Sequence, residues 1–215
     1  MSGILDLLNS DMGRQLIGGL SQETNQPADK TASALTAALP LLMGAMKRNA
    51  SSPDGAAGLM SALSGGKHDG SILDNLGGLF GGGVNEEVKR DGLGILGHVL
   101  GGSQDNVVGA VSKKSGIDTN GVMQILQVAA PVLLGYLGKQ TKEQNVADQN
   151  GIGNLLGGLL GGGNDAQPKQ QSLIESILDG DNDGSVIDDI AGMVLGGGNS
   201  NSGGIGGLLG GLFGK

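Results

Sequence analysis

The fold is decided by the stretch Ala38-Leu39-Pro40-Leu41-Leu42-Met43-Gly44, because its frame returns as Ala129-Ala130-Pro131-Val132-Leu133-Leu134-Gly135. The two stretches lie 91 residues apart, and at that offset residues 15–48 align with 106–139 without a gap. Seven of the 34 aligned positions are identical. Self-similarity at a fixed offset is typical of one structural unit used more than once. The sequence therefore predicts two tandem homologous units.

Each unit has the apolar spacing of an amphipathic α-helix. Its apolar residues recur three and four positions apart, which places them on one face of a helix with about 3.6 residues per turn. No run of alternating β-branched and aromatic residues indicates a strand. We therefore predict an all-α protein with Gly-rich connections. The apolar positions are Ala34, Leu35, Ala38, Leu42 and Met46 in the first copy, and Ile125, Leu126, Ala129, Leu133 and Leu137 in the second.

Proline occurs inside both helical patterns. Pro40 and Pro131 lack the N–H that would bond the carbonyl four residues earlier, so we expect each to kink or end its helix. Pro27, just before the first long pattern, suits the first position of a helix.

Glycine and aromatic contents are both extreme. The 215 residues include 45 glycines, but the only aromatic residues are Phe80, Phe213 and Tyr136. Aromatic rings usually supply much of the buried area of a core. Here Leu, Ile, Val, Met and Ala must supply it, and glycine lets backbones approach closely. We expect thin interfaces between small residues.

Charge and cysteine content exclude several classes of protein. The net charge is −8 without a basic face, so we expect no nucleic-acid binding, which depends on neutralising phosphates. The chain has no cysteine, which excludes disulfides and thiolate metal sites. Residues 1–9 do not have the pattern of a secretory signal, and we expect a cytoplasmic location. The stretch from Val122 to Leu137 is shorter than a span of about 20 apolar residues, so we expect a buried core helix there.

Three leucine–glycine segments lie between and after the helical patterns of the two units, at 75–83, 154–163 and 205–214. Each contains Leu-Gly-Gly-Leu, and each glycine inside a helix costs about 1 kcal/mol relative to alanine. Such segments are helical only where packing supports them, and each run of glycines should stop the helix. For 205–213 a docked helix and a free tail both stay open, whereas 196–204 favours a flexible linker.

Four features of the chain point to one family: the paired units, the Ala-x-Pro-x-Leu-x-Gly frame, the Leu-Gly-Gly-Leu-Phe-Gly segments and an acidic Asp-Gly-Ser loop. Together they resemble the bacterial "domain of unknown function 937" family. The resemblance covers about residues 1–195. It implies a small helical bacterial protein without an assigned activity, and it supplies no catalytic residues. The expected organisation is a first unit at 1–83, a second at 84–163, an acidic helix pair at 168–195 and a Gly-rich tail at 196–215.

One segment has the spacing of a calcium-binding loop: Asp179-Gly180-Asp181-Asn182-Asp183-Gly184-Ser185-Val186. Asp179, Asp181 and Asp183 take positions 1, 3 and 5 of an EF-hand loop, Gly184 takes position 6, and Ser185 supplies a backbone carbonyl at position 7. Apolar residues on both sides predict a short acidic helix-loop-helix. Calcium is therefore the candidate cofactor.

The closing ligand of this loop is missing. Position 12 is Ile190, and the nearest carboxylates belong to Asp188 and Asp189. Without bidentate closure we expect weak binding, with Kd of about 10⁻⁴ to 10⁻³ M. The alternative is a turn followed by a helix start, because residues 70–74 repeat the Gly-Ser-apolar-apolar-Asp pattern of 184–188 without the ligands.

No catalytic motif is present, and we do not expect an enzyme. His68 and His98 are the only histidines; we expect a surface turn for His68 and a packed helical position for His98. There is no phosphate-binding loop and no nucleophile elbow. The expected function is a non-enzymatic structural or interaction role, with a protein partner or a second copy as ligand. The alternative is membrane association through the Pro-kinked helices and the Leu-Gly tail.

Overall fold

The computed structural model describes residues 4–146 and 148–160, and every regular element in this part of the chain is helical. The prediction of an all-α protein is confirmed. The elements are α1 (Ile4–Asn9), α2 (Asp11–Glu23), α3 (Ala28–Asn49), α4 (Pro53–Ser64), α5 (Ser71–Asp74), α6 (Leu76–Phe80), α7 (Glu86–Leu100), a 3₁₀ turn (Gly101–Ser103), α8 (Gln104–Ser115), α9 (Thr119–Glu143) and α10 (Gln149–Leu159).

The helices α3 and α9 form the centre of the fold. They have 22 and 25 residues, and each contains one copy of the proline frame. Their buried side chains belong to one hydrophobic cluster that draws on both halves of the described chain. The helix α4, from the first half, packs on α9, and α10, from the second half, packs on α3. Residues 4–83 and 84–160 therefore share one core.

The turns that lead into α3 and α9 have matching hydrogen bonds. The hydroxyl groups of Ser21 and Ser112 each donate to the carbonyl five residues later, both at 2.6 Å. Asn25 and Gly116 both adopt positive φ, at 52° and 67°. Both pairs are separated by the 91 residues of the sequence offset. The chain therefore reverses in the same way before each central helix.

Four helices begin with a capping residue that is followed three positions later by glycine. The capping side chain accepts a hydrogen bond from the glycine N–H, which has no partner within the helix itself. A Cβ atom on any of these glycines would collide with the residues that lead into the helix. Glycine thus lets the chain fold back tightly over the first turn. The pairs are Ser10 with Gly13, Ser52 with Gly55, Asp118 with Gly121 and Asp148 with Gly151, at 3.2, 3.1, 2.9 and 2.7 Å.

Both interior prolines lie within continuous helices, so neither of them ends its helix. Because Pro131 has no N–H, the carbonyl of Gln127 loses its usual helical hydrogen bond. The helix α7 crosses α9 at this point, where a Cβ on Gly92 would overlap the Gln127 carbonyl oxygen. Gly92 therefore lets the two backbones touch where proline has freed a carbonyl. Pro27 lies one position earlier than expected, at the N-cap of α3.

The leucine–glycine segments form docked helices where the structure describes them. The helix α6 runs through Gly77 and Gly78 and ends before the glycine run at 81–83, as predicted. The ring of Phe80, at its end, lies over Gly19 of α2, which has no side chain to obstruct it. The helix α10 likewise continues through its glycine pair at 157–158. Packing therefore offsets the poor helix propensity of these segments.

Candidate binding cleft

A cleft of about 800 Å³ opens between α4 and α7, and we name it the α4–α7 cleft. Both helices pack against α3 and α9, which supply the buried floor residues Met46 and Leu134. Its volume lies within the roughly 300–1,000 Å³ usual for binding pockets. The other lining residues are Asn49, Asp54, Gly55, Gly58, Leu59, Ser61, Ala62, His68, Arg90, Asp91, Gly94, Ile95, His98 and Val99.

Glycines line both walls of the cleft. A Cβ at Gly58 in α4, or at Gly94 in α7, would meet no atom within 4 Å. Each costs about 1 kcal/mol of helix stability relative to alanine. Neither is required by packing within the described residues, in contrast to Gly92. At these two positions the walls carry no side chain, so that the backbone of a bound segment can approach closely there.

Both histidines of the chain line the cleft, although 30 residues separate them. His68 is buried, at 8% exposure, and its Nε2 lies 2.7 Å from Oδ2 of Asp91 in α7. His98 is exposed. As expected, His68 lies in a turn and His98 in a helix, but the expected exposure of the side chain was wrong for both residues. The loop that carries His68 is pressed onto α9, with the His68 carbonyl against Gly138, and His98 falls on the solvent side of α7.

Two polar residues shape the α7 wall. The side-chain amide of Asn49, at the end of α3, donates to the carbonyls of His98 and Val99 at 3.1 and 3.2 Å. This bond ties the C-terminal turn of α7 to the floor. Arg90, about two turns earlier, makes no ion pair or hydrogen bond with any described residue. The wall therefore offers one unpaired positive charge to a ligand.

One histidine of the cleft is paired with a carboxylate, and no hydroxyl group among the described residues is bonded to it. His68 and Asp91 form a histidine–carboxylate pair of the kind found in catalytic triads. A triad also needs a nucleophile within hydrogen-bond reach of its base. Ser61 lines the cleft, but its hydroxyl makes no hydrogen bond with His68 or with any other residue in the described ranges. The pair instead fastens the 65–70 loop to α7.

Asp69 holds the same loop from its other side. Its Oδ1 accepts the Ser71 backbone N–H at 3.1 Å, and its Oδ2 lies 3.3 Å from the Lys142 Nζ. Lys142 also donates to the Asp69 carbonyl at 3.2 Å. The Ser71 backbone hydrogen bond, followed by those from the Ser71 hydroxyl and Lys142, lowers the pKa of Asp69 from 3.8 to about 2.

We expect the Asp69 carboxyl group to titrate near pH 2 when it is followed by carbon-detected NMR. Because the folded pKa lies below the unfolded value, its contribution to stability is present above about pH 4 and is lost as the pH falls through about 2. Lys142→Met should raise the pKa only part of the way to 3.8, since the Ser71 N–H is the larger cause. A midpoint at 3.8 in the unaltered protein would contradict this geometry.

The residues predicted to bind calcium are Asp179, Asp181, Asp183, Ser185, Asp188 and Asp189, and all six lie outside the described residues. Within the described ranges, no group of three or more His, Cys, Asp or Glu side chains is placed to hold a metal ion. The calcium site stays a prediction.

The cleft itself was missed by sequence reasoning. His68 and Asp91 are 23 residues apart and belong to no motif, so no local pattern announces their contact. The sequence signal for the cleft was the presence of Gly58 and Gly94 inside helices, where neither residue caps a helix or lies at a helix crossing. That signal is weak, because Gly18 and Gly109 are equally unobstructed and do not line the cleft.

Comparison with protein families matches residues 6–140 and 142–215 to a model described as a bacterial protein of unknown function (DUF937). The chain belongs to the DUF937 family. The DUF937 match continues past residue 195, where the resemblance was expected to end. No curated protein and no solved structure matches the chain. DUF937 membership thus confirms the expected family and leaves the activity to be argued from the structure.

Proposed function

We propose that this DUF937 protein is a non-enzymatic interaction protein that binds an apolar helical segment of another protein in the α4–α7 cleft. The observation that carries the proposal is the apolar floor between two helical walls, in which nothing obstructs Gly58 of α4 or Gly94 of α7. Recognition of a helix in a groove uses apolar residues at i, i+3, i+4 and i+7. Glycine walls favour a ligand helix that packs by close backbone approach.

The fold already holds a helix of this kind. The α10 residues Ile152, Leu155, Leu156 and Leu159 are all buried, against α3, α4 and α9. Three of the intervening positions are glycines, at 153, 157 and 158. An apolar stripe on a glycine-rich helix is therefore enough for docking onto this core. We expect a ligand of the cleft to have the same character.

The proposal is tested by placing a photo-crosslinking amino acid at Ser61, which is exposed and lines the cleft. Irradiation in the native cell should produce a crosslink, and mass spectrometry should map it to an apolar helical peptide. Gly94→Leu should abolish the crosslink, because its side chain extends into the cleft from a position with free space.

The matched control is Gly97→Leu. Gly97 lies one turn further along α7, is equally unobstructed, and does not line the cleft. This variant should crosslink as the unaltered protein does. Equal loss in both variants, or a crosslink that maps only to polar, non-helical peptides, would contradict the proposal.

The non-enzymatic role is supported by the structural use of His68 and Asp91 and by the lack of a bonded nucleophile among the described residues. A screen with chromogenic esters and phosphates checks it. A turnover rate that disappears in Asp91→Asn, with the fold retained, would contradict this part of the proposal.

Membrane association is the second candidate. Among the described helices, α9 is long and apolar enough to cross a membrane, but 78% of its most apolar stretch is buried inside the fold. A buried helix offers little apolar surface to lipid, so the candidate rests on the leucine–glycine segments. Co-sedimentation with vesicles tests it, and absence of binding to both neutral and anionic vesicles would remove it.

Weak calcium binding at Asp179, Asp181 and Asp183 is a further part of the proposal. Calorimetric titration should give a Kd of about 10⁻⁴ to 10⁻³ M, as expected for a loop without bidentate closure. The double change Asp181→Asn with Asp183→Asn should abolish the heat, whereas Asp165→Asn, outside the loop, should not. Absence of heat up to about 10 mM calcium, above the weak end of that range, would remove the site.

We further infer that the chain contains two tandem homologous helical units joined by Gly-rich connections. The inference is supported by the matching turn hydrogen bonds of Ser21 and Ser112, and by the positive φ of Asn25 and Gly116. The reciprocal packing of α4 on α9 and α10 on α3 adds to it. The inference is tested by comparing the loss of unfolding free energy in Leu35→Ala and in Leu126→Ala, which truncate equivalent positions of the two units.

A further inference from the structure

The two walls of the α4–α7 cleft run in opposite directions, and a different contact fixes each end. At one end, the Asn49 amide donates to the His98 carbonyl in the last turn of α7 at 3.1 Å. A Cβ on Gly55, in the first turn of α4, would overlap the Asn49 carbonyl oxygen. At the other end, His68, which follows α4, is bonded to Asp91 of α7. The start of α4 therefore lies beside the end of α7.

Each wall has one charged residue without an ionic partner, and the two residues lie at opposite ends of the cleft. Asp54 directly precedes Gly55 in the first turn of α4, so it lies at the His98 end. Arg90 comes eight residues before His98 in α7, which is about 12 Å along a helix, so it lies at the His68 end. Neither side chain makes an ion pair or hydrogen bond with a described residue.

Other charged residues at the His68 end are paired. The carboxylate of Asp91, which also lines the cleft, lies 2.7 Å from the His68 Nε2. Lys67 and Glu87, on the adjoining loop and helix, pair at 3.5 Å. The opposite directions of α4 and α7 bring helix ends of opposite partial charge together, so their dipoles tend to cancel. The cleft is therefore positive at one end and negative at the other because of its two unpaired residues.

We propose that the partner of the α4–α7 cleft is an amphipathic helix with one acidic and one basic residue about two turns apart. This inference rests on the function proposed above and adds the charge pattern and direction of the ligand. The acidic residue pairs with Arg90, and the basic residue pairs with Asp54. The apolar residues between them face the floor residues Met46 and Leu134, which are buried in the free cleft.

The charges at the two ends select the partner and its direction more than they add to its affinity. Arg90 and Asp54 are exposed, and an exposed ion pair changes an affinity by only about two- to five-fold. A like charge placed at either end is repelled, which excludes helices of the wrong pattern. The apolar floor supplies most of the affinity, because it removes apolar surface of the ligand from water.

The probes for the test are synthetic helical peptides of about 16 residues, which is long enough to span the cleft. All of them share one apolar stripe, and they differ at two positions about eight residues apart. The mixed peptide has Glu and Lys there, and the matched peptides have Lys and Lys, Glu and Glu, or Gln and Gln. The mixed peptide should bind about two- to five-fold more tightly than the Gln peptide, and each like-charged peptide should bind less tightly than the mixed one.

Binding is followed by the histidine ring NMR signals of the full chain. The chain has two histidines, and both line the cleft, so both signals report on this site. They lie at opposite ends, because His68 is bonded to Asp91 and His98 is held by Asn49.

Charge reversal in the protein tests each pair separately. Arg90→Glu and Asp54→Lys should each weaken binding of the mixed peptide by about ten-fold, because an attraction becomes a repulsion. The double variant should regain the affinity, because the peptide then binds in the reverse direction. The matched control is Lys114→Glu, which makes the same change of charge as Arg90→Glu at an exposed position of α8 outside the cleft. This control should leave the affinity unchanged.

A nitroxide at the basic end of the mixed peptide shows the direction of binding. It should broaden the His98 signal more than the His68 signal, because Asp54 lies at the His98 end. In the double variant Arg90→Glu with Asp54→Lys, the order should be reversed. Stronger broadening of His68 in the unaltered chain would overturn the proposed direction.

The four peptides separate this inference from the proposed function. Equal affinities for all four, with the histidine signals shifted, would overturn the charge pattern and leave the proposed function in place. If none of the four changes either histidine signal, the proposed function fails as well. Decanoate, which has an apolar tail and one carboxylate, represents the alternative occupant. A response to decanoate without any response to the peptides would identify a site for a small amphiphilic anion and overturn both proposals.

Discussion

Gly92→Ala should lower the free energy of unfolding by about 3 kcal/mol, which is at the upper end of the usual cost of overpacking. The added Cβ would overlap the carbonyl oxygen of Gln127, a backbone atom that cannot move without displacing α9. Pro131 also leaves that carbonyl without its helical partner. Thermal or urea unfolding followed by circular dichroism measures the loss.

Gly97→Ala is the matched control. It lies in the same helix, and its Cβ would meet no atom within 4 Å. Alanine should therefore stabilise α7 by about 0.5–1 kcal/mol through helix propensity. A neutral or stabilising result for Gly92→Ala would show that α7 and α9 do not cross as closely as the structure has them.

Leu126→Ala should destabilise the protein by about 3 kcal/mol, within the 2–5 kcal/mol range for large-to-small changes in a core. Leu126 is 0% exposed in α9. A domain with a total stability of about 5–15 kcal/mol would lose a large share of it.

Leu35→Ala extends this prediction to the other half of the chain. Leu35 is also 0% exposed and aligns with Leu126 in the sequence repeat. If the two units are homologous in structure, the two losses should agree within about 1 kcal/mol, allowing for the context dependence of cavity costs. Leu93→Ala, at 43% exposure, should cost less than about 1 kcal/mol. A cost at Leu93 equal to that at Leu126 would contradict the assignment of the core.

Sequence reasoning predicted the helices well and the site poorly, for one physical reason. Helical periodicity is local, so the spacing of Leu126, Ala129 and Leu133 is enough to place them on one buried face. The cleft depends on contacts such as that of His68 with Asp91, which join residues without any periodic relation. Burial of His68 follows from the path of a loop over Gly138, and no short pattern encodes that path.

The leucine–glycine segments were only partly predictable from the sequence. Their sequence predicts an apolar stripe, but their glycines make an isolated helix unstable. Whether such a segment is helical is decided by a surface to dock on, as α10 has against α3 and α4.

The sequence by itself determined the helical class, the DUF937 family and the presence of proline in both central helices. These properties follow from residue spacing along one chain. Only the tertiary structure decided that α7 meets α9 where Pro131 frees the Gln127 carbonyl, and that Gly92 is the residue that fits there. It also brought His68, Asp91 and His98 to one cleft. Such contacts depend on how helices cross in space. The position of a proline in the sequence identifies the carbonyl that it frees, but it does not identify the glycine that packs against that carbonyl.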